Sequence, residues 1–175
     1  MTAMPWQDAS VVQPSRRDET DRSIRHGDAL PFALVERAGN RAIGSTRYHY
    51  IELQHRRLEI GVTWITPRFQ RTAINTEAKY LLLGHAFDTL GCQRVEFKAD
   101  ANNARSCQAL PRIGAVQEGV FRKHMRYPDG RIRHSVYFSI IDEDWPSVKR
   151  GLEEKLTRHD EHAGARHDRA QGTRP

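Results

Sequence analysis

The sequence predicts one domain of the α/β (α+β) class, with a mixed, mostly antiparallel central sheet flanked by helices. Its length of 175 residues suits a single domain of this kind. Residues 29–66 contain three β-type segments separated by turn signals, which is the pattern of an antiparallel meander. Helical and strand patterns then alternate as far as residue 156. The resulting order, β-β-β-α-β-α-β-β-α, includes a βα crossover after the third strand.

The meander is predicted to consist of strands at residues 29–35, 42–52 and 58–66. Gly39 and Asn40 form a hairpin-turn signal between the first two strands. Alternation along the third strand predicts that its side chains point to the two sheet faces in turn. One predicted face carries Leu58, Ile60, Val62 and Trp64, and the other carries Glu59, Gly61, Thr63 and Ile65.

A polar loop and a helix are predicted after the third strand. Pro67 ends the strand, residues 68–75 form the loop, and an amphipathic pattern covers about residues 75–90. Asn75 or Thr76 can cap this helix. The first N–H groups of a helix lack intrahelical acceptors, and the helix dipole favours negative charge there. The strand–loop–helix unit is therefore a natural phosphate-binding site.

One charged residue, Lys79, interrupts the apolar face of this helix. Its side chain either lies along that face with the ammonium group in solvent, or contacts a bound phosphate. The pattern leaves both interpretations open.

The second half of the chain repeats the alternation of strands and helices. Pro111 falls near the end of a short helix, where proline removes a hydrogen-bond donor and clashes with the preceding turn. The turn Tyr127-Pro-Asp-Gly joins the last two strands. The predicted elements are a strand at 94–99, a helix at 104–110, strands at 116–125 and 133–141, and a helix at 145–156.

Both ends of the chain differ in composition from the middle. Residues 1–28 are polar and have neither a helical nor a strand period, so they are predicted to be a disordered or atypical N-terminal segment. Residues 157–175 are charged and low in apolar residues, and they are predicted to be a disordered polar tail. The folded domain is therefore expected at residues 29–156.

The chain is basic, with a formal net charge of +6 and a sequence pI of about 9.7. Residues 29–156 hold 20 of the 28 Lys and Arg residues and 14 of the 22 Asp and Glu residues, so the excess lies in the folded part. Such a domain suits nucleic acid, a phosphorylated cofactor or an acidic partner. The chain lacks the character of a recognition helix or a base-stacking platform, so we expect no specific nucleic-acid site.

The two cysteines, Cys92 and Cys107, do not form a disulfide framework and do not have the spacing of metal ligands. We therefore expect free thiols and no metal site. The sequence contains neither an apolar run long enough to span a bilayer nor an N-terminal apolar segment of the signal-peptide type. A soluble, cytoplasmic protein without a membrane partner is expected.

Five sequence blocks resemble, in the same order, the GNAT acetyltransferases. They are EIGVTW at 59–64, QRTAIN at 70–75, RVEFKADANNARS at 94–106, IGAVQEGVFRKHM at 113–125 and DGRIRHSVYFSIIDEDWP at 129–146. The second block resembles the family's Q/R-x-x-G-x-G/A cofactor loop, and the third resembles its N-x-x-S helix start. The resemblance covers about residues 29–156. It is strongest to the branch that acetylates the N-termini of ribosomal proteins (RimJ/RimL-like).

The resemblance implies a GNAT-like acyl-CoA N-acyltransferase fold that binds acetyl-CoA. It implies that backbone amides of the loop hold the pyrophosphate, that the β-strand edge pairs with the pantetheine amides, and that an N-x-x-S asparagine contacts pantetheine. On this chain those positions are Trp64, Ile65, Arg71, Thr72, Ala73, Ile74, Asn75 and Asn103. Ser106 matches the serine near the thiol and is the candidate proton donor to the leaving thiolate. Glu59 is the candidate general base, and base catalysis through ordered water stays open.

Three departures from the family pattern shape the functional expectation. Ala73 and Asn75 stand where the loop usually has glycine, Pro111 falls in a helix that normally continues, and residues 1–28 do not resemble the N-terminal strand and helices that wall the acceptor pocket. The sequence therefore predicts acetyl transfer from acetyl-CoA to a primary amine, either a protein N-terminus or a small amine. The alternative is a weak or inactive CoA-binding protein with an incomplete acceptor pocket. A ribosomal partner and a homodimer are compatible with both.

Overall fold

The computed structural model describes the backbone of residues 10–11 and 29–171 and the side chains of residues 29–159. Within these residues, seven strands form one sheet of order β1-β2-β3-β4-β5-β7-β6. The strands are β1 (Ser10–Val11), β2 (Ala29–Glu36), β3 (Arg41–Glu52), β4 (Arg57–Ile65), β5 (Arg94–Asp100), β6 (Val116–Arg126) and β7 (Ile132–Ile141). The β4–β5 pair is parallel and the other neighbouring pairs are antiparallel. The prediction of a mixed, mostly antiparallel sheet with flanking helices is confirmed.

Three helices cover one face of the sheet. They are α1 (Ile74–Gly84), which continues as a π-helical turn over His85–Thr89, α2 (Ala104–Arg112) and α3 (Trp145–Gln171). Leu83 of α1, Phe138 of β7 and Leu152 of α3 are each fully buried in one apolar core that all three helices share. Burial of this apolar surface is the main stabilising term for such a domain.

Tyr48 of β3 forms a buried hydrogen bond to α1 inside this core. Its side chain is 1 % exposed, and its hydroxyl donates a hydrogen bond to the carbonyl oxygen of Leu82 at 2.6 Å. Burial raises the pKa of this phenol above its usual range, so the hydroxyl stays protonated and remains a donor. The contact fixes the height of α1 above β3 and β4.

A β-bulge in β4 contradicts the predicted alternation of that strand. Gly61 lies opposite Arg47 and Trp64 lies opposite Ser45, so β4 contains one more residue than β3 in this interval, and Val62 has a φ of +47°. A bulge of this kind reverses the side-chain alternation beyond it. Val62 and Trp64 are 52 % and 53 % exposed instead of sharing a buried face with Leu58 and Ile60.

Two predictions about the chain ends need correction. Ser10 and Val11 pair with Val35 and Leu34 as a short edge strand, although no strand was predicted before residue 29. The rest of residues 1–28 lies outside the described residues. The last helix is predicted to end near residue 156, but α3 continues to Gln171. Residues 157–171 contain three Arg and three Ala residues, which are good helix formers and support the extension of the helix.

Pro111 is accommodated in the last turn of α2. The helix extends two residues beyond its predicted end, and the amide groups of Ile113 and Ala115 both bond to the carbonyl oxygen of Leu110. Pro111 is the second-last residue of α2, so the clash of its ring with the preceding turn disturbs only the end of the helix. Gly114 then turns the chain with a φ of +95°.

Candidate functional site

A cleft opens between β4 and β5. The two strands pair only over their first residues, and the ladder ends where Glu59 lies opposite Glu96. Farther along, β3 and β7 occupy the outer edges of β4 and β5, whereas the inner edges at residues 60–65 and 97–100 are not paired with each other. Unpaired strand edges can bind an extended ligand as an added strand. We call the gap between these two segments the cleft.

The loop after β4 leads to the N-terminus of α1 at one end of the cleft. Arg71 has a φ of +63°, and the Thr72 hydroxyl donates to the carbonyl oxygen of Phe69 at 2.7 Å, which closes the turn. Ala73 has a helical φ of −62°, so alanine can stand there without backbone strain although the family usually has glycine. The Gly-to-Ala departure therefore leaves the loop conformation intact.

The first amide groups of α1 remain available to a ligand. The N-cap residue Ala73 provides no side-chain cap, and the first helical amide to bond back is that of Glu77, to the carbonyl oxygen of Ala73 at 2.9 Å. Ile74 has a long contact of 3.4 Å from its amide nitrogen to the Thr72 hydroxyl. Amides near the start of a helix that lack acceptors, together with the helix dipole, attract anions.

A cationic cavity of about 320 Å³ lies beside this helix N-terminus. The loop and α1 line one side, the end of α2 lines another, and α3 contributes the third. Its lining residues are Arg71, Thr72, Ala73, Thr76, Arg112, Lys155, Leu156, Arg158 and His159, which include four Lys or Arg residues and no Asp or Glu. We call it the cationic cavity. Its charge and the helix N-terminus both favour an anion with several negative charges.

The N-terminus of α2 forms the other side of the cleft mouth. The Asn103 side chain accepts a hydrogen bond from the Ser106 amide at 3.1 Å and thereby caps α2. Arg105 donates to the Gln70 side-chain oxygen at 2.6 Å, and the Gln70 amide nitrogen donates to the carbonyl oxygen of Ile65 at 2.7 Å. These contacts join the start of α2 to the loop that precedes α1, so both helix N-termini meet at one end of the cleft.

A second cavity, of about 300 Å³, contains Glu59, where the β4–β5 ladder ends. We call it the Glu59 cavity. The Glu59 side chain points away from the helix-covered face, is 6 % exposed, and lies 3.3 Å from Lys98 Nζ and 4.0 Å from His49 Nε2. Burial raises the pKa of Glu59, and Lys98 partly opposes that shift. The cavity lining is Tyr50, Glu52, Arg57, Glu59, Lys98, His124, Met125 and Tyr137.

Irregular backbone shapes the rim of the Glu59 cavity. Tyr50 has a φ of +47° at a bulge in β3, and Lys123, beside His124, has a φ of +51° at a bulge in β6. A non-glycine residue in the left-handed backbone conformation costs free energy, and such residues cluster at functional sites. His124 Nδ1 lies 2.9 Å from the Ser135 hydroxyl. Burial, followed by the charges of Lys98 and Arg133, lowers the pKa of His124, which favours a neutral imidazole.

The structure brings the predicted site residues to three places. Arg71, Thr72 and Ala73 line the cationic cavity, and Ile74 and Asn75 follow in the first turn of α1. Trp64 and Ile65 lie at the unpaired inner edge of β4, and Asn103 and Ser106 lie at the start of α2. Glu59 lies in its own cavity. Ser106 lines neither of the two cavities.

Several site residues escaped the sequence-based prediction. Tyr50 and His124 reach the Glu59 cavity through bulges, which have no clear sequence signal. Lys155, Arg158 and His159 have the i, i+3, i+4 spacing of one helix face, and this signal was present in the sequence. It was missed because the tail was expected to be disordered from residue 157. Among residues 29–159, no group of three or more His, Cys, Asp or Glu side chains has the arrangement of a metal site.

Comparison with a family profile identifies the fold. The profile described as "Acetyltransferase (GNAT) domain" matches residues 1–116 of this chain. The match includes the N-terminal segment that the sequence pattern marked as atypical. No helix in the described part of the chain is both long and apolar enough to cross a membrane.

Three relatives illustrate the similarity. YdaF of Bacillus subtilis, provisionally named a ribosomal N-acetyltransferase, is 32 % identical over 106 residues, which are 61 % of this chain and 57 % of YdaF. An acetyltransferase structure from T. thermophilus shares 36 % identity with a TM-score of 0.71, covering 88 % of this chain and 84 % of that one. A GCN5-related N-acetyltransferase from Brucella melitensis shares 32 % identity with a TM-score of 0.72, covering 77 % of this chain and 60 % of that one. The match thus spans less than two thirds of YdaF and of the Brucella protein.

Proposed function

The chain belongs to the GNAT acetyltransferase family, and from this premise we propose that it transfers an acetyl group from acetyl-CoA to a primary amine. The observation that carries the proposal is the position of the cleft. It begins at Glu59, where the β4–β5 ladder ends, and opens toward the helix N-terminus beside the cationic cavity. A ligand with a phosphorylated end and an extended arm fits this arrangement.

The residues present fit acetyl-CoA. The cationic cavity and the amides of Arg71, Thr72, Ala73, Ile74 and Asn75 would hold the phosphate groups, since they supply positive charge without a carboxylate. The unpaired edge at Trp64 and Ile65 would bind the pantetheine amides. Asn103 would contact the arm from the other side through its side-chain nitrogen, because its oxygen caps α2.

When bound, acetyl-CoA supplies the acetyl group as an activated thioester. Glu59 would accept a proton from the acceptor amine, and a buried carboxylate with a raised pKa suits that role. Lys98, 3.3 Å away, orients the carboxylate and stabilises its ionised form. The Ser106 hydroxyl would donate a proton to the departing thiolate. The aromatic rings of Tyr50 and Tyr137 would exclude water around the amine.

The acceptor is proposed to be a protein N-terminus or a small amine. YdaF is named for ribosomal acceptors, and the basic surface of this chain suits a ribosomal partner. The second candidate function is CoA binding without transfer. It is favoured by the sequence of residues 1–28, which does not resemble the family's N-terminal elements that wall the acceptor pocket. The Glu59 cavity favours the enzyme, because a shaped cavity with a buried carboxylate is present among the described residues.

The test is turnover on a panel of acceptors. The purified chain is incubated with acetyl-CoA and with peptides that have free N-terminal Ser, Ala or Met, or with a small polyamine. We expect acceptor-dependent thiol release and a product that has gained one acetyl group. If acetyl-CoA binds but no acceptor of either class is acetylated, the proposed transfer is contradicted and CoA binding alone is supported.

A further inference from the structure

Lys79 of α1 lies at the floor of the cleft. Its side-chain nitrogen donates a hydrogen bond to the Thr63 hydroxyl at 3.0 Å, and Thr63 is on β4 beyond the point where the ladder ends. The same nitrogen lies 5.8 Å from the centre of the Phe97 ring, which belongs to β5 beyond that point. Lys79 therefore reaches both strands where they have separated.

The amine of Lys79 is buried and only partly satisfied. The residue is 5 % exposed, and it forms no ion pair with any carboxylate among residues 29–159. A lysine amine offers two N–H donors when neutral and three when charged, and one of them is used by Thr63. Burial lowers the pKa of Lys79 to about 7. The remaining N–H groups of Lys79 are therefore able to donate to an acceptor that enters the cleft.

Neither interpretation made from the sequence fits this position. The nitrogen does not reach solvent along the apolar face, because the residue is buried. Lys79 does not line the cationic cavity either, so it does not contact the proposed phosphate site. It lies five residues after the first residue of α1, which is about 7.5 Å along the helix axis. The nitrogen is therefore between the phosphate end of the cleft and Glu59.

We propose that Lys79 binds the acyl-pantetheine arm by donating a hydrogen bond to one of its carbonyl oxygens inside the cleft. The inference rests on the proposed function, since it assumes that acetyl-CoA enters there. The arm is uncharged and carries amide and thioester carbonyl groups, which are the acceptors that the spare N–H groups of Lys79 lack. The Thr63 hydroxyl, itself 2.8 Å from the Thr46 hydroxyl, holds the amine in place.

The test separates the arm from the nucleotide. Isothermal titration compares acetyl-CoA with 3′-phospho-ADP, the nucleotide part that lacks the arm, on the wild type and on Lys79→Met. Methionine keeps most of the apolar stem and removes the donor. We expect Lys79→Met to weaken acetyl-CoA binding about 10-fold and 3′-phospho-ADP binding less than about 2-fold. The matched control is Lys155→Met in the cationic cavity, which should weaken both ligands alike.

Each outcome decides one question. If the wild type binds both ligands and Lys79→Met binds acetyl-CoA equally well, the inference is wrong and the proposed function stands. An equal loss for both ligands would also overturn it, because Lys79 would then act on the phosphate site. If the wild type binds neither ligand, the proposed function fails and the inference fails with it.

A second measurement uses the unmodified chain. Side-chain NMR of isotopically labelled lysine follows the five lysines of the sequence, and Lys79→Met identifies the Lys79 signal. We expect this signal to shift on addition of acetyl-CoA and to move little with 3′-phospho-ADP. An unshifted Lys79 signal under saturating acetyl-CoA would overturn the inference.

Discussion

At the scale of single residues, Glu59 combines burial with an ion pair. The residue is 4 % exposed and lies 3.3 Å from Lys98 Nζ. Burial favours the neutral acid and Lys98 favours the carboxylate, and the first effect is larger, so the pKa is raised. A carboxylate with a raised pKa accepts a proton more readily than an ordinary glutamate, which suits a general base.

Replacing Glu59 by Gln is expected to lower kcat/KM about 100-fold or more, since a positioned general base typically contributes that much. The acidic limb of the pH profile, which reports protonation of Glu59, should disappear. Steady-state kinetics across pH measure both effects, and acetyl-CoA affinity serves as the control because it should change little. A Gln variant with the wild-type profile would show that Glu59 is not the base.

Ser106 is expected to matter for turnover more than for binding. Its amide is held by Asn103 at 3.1 Å, and its hydroxyl would serve the thiolate only while the acetyl group is transferred. Ser106→Ala should therefore reduce kcat and leave the dissociation constant of acetyl-CoA within about 2-fold of the wild type. Equal kcat values for the two proteins would remove Ser106 as the proton donor.

The burial of Lys79 is expected to make the folding stability of the protein depend on pH. Its pKa is about 7 in the fold against an ordinary lysine value of 10.5, so the unfolded chain binds more protons between these two pH values. Wild-type stability therefore rises with pH across this window through Lys79, and the cost of burying the amine is largest at pH 7 and below. Lys79→Met removes that cost and should be more stable than the wild type at pH 7.

The measurement is urea unfolding of both proteins at several pH values. The stability advantage of Lys79→Met should shrink by about 1.4 kcal/mol per pH unit as the pH rises from 7 toward 10. Other titrating groups are common to both proteins and cancel in the difference. An advantage that is independent of pH, or that grows with pH, would contradict the assigned burial of Lys79.

At the scale of elements, the sequence predicted the strands and helices better than their irregularities. Hydrophobic alternation and helical spacing located the strands from β2 to β7 and all three described helices within a few residues, except for the end of α3. The bulges at Val62, Tyr50 and Lys123 could not be predicted, because β-branched, aromatic or charged residues rarely adopt a positive φ and give no local signal. The bulge at Val62 lies along the cleft, and those at Tyr50 and Lys123 lie at the rim of the Glu59 cavity.

Gly114 tests how the elements pack, because it joins α2 to the sheet beneath α3. It has a φ of +95°, and a Cβ atom there would lie 2.7 Å from Val148 Cγ2. Gly114→Ala should therefore destabilise the protein through both backbone strain and overpacking, by roughly 2–4 kcal/mol in urea unfolding.

The matched control for Gly114 is Gly130. It has a φ of +85°, but nothing lies within 4 Å of an added Cβ atom. Gly130→Ala should cost only the backbone strain, about 1–2 kcal/mol. Equal losses for the two variants would show that α3 does not pack closely on Gly114.

At the scale of the whole molecule, the candidate site depends on elements that are distant in sequence. The cationic cavity needs the loop before α1, the end of α2 and the middle of α3. Sequence motifs located the loop and the start of α2, because helix N-termini and capping residues have local signals. They could not place Arg112 at the cavity, and the helical spacing that links Lys155 to Arg158 and His159 does not show which surface that helix faces, because this depends on how three helices converge.

The central claim is that this chain binds acetyl-CoA through the N-terminus of α1 and the cationic cavity beside it. The most direct measurement is isothermal titration of the wild type and of Ala73→Glu with acetyl-CoA, with desulfo-CoA as the control ligand. A glutamate at position 73 adds bulk and a negative charge at the helix N-terminus, where Ala73 lines the cavity. We predict micromolar binding of acetyl-CoA and of desulfo-CoA to the wild type and loss of both in Ala73→Glu. No binding to the wild type, or equal affinity in the variant, would contradict the claim.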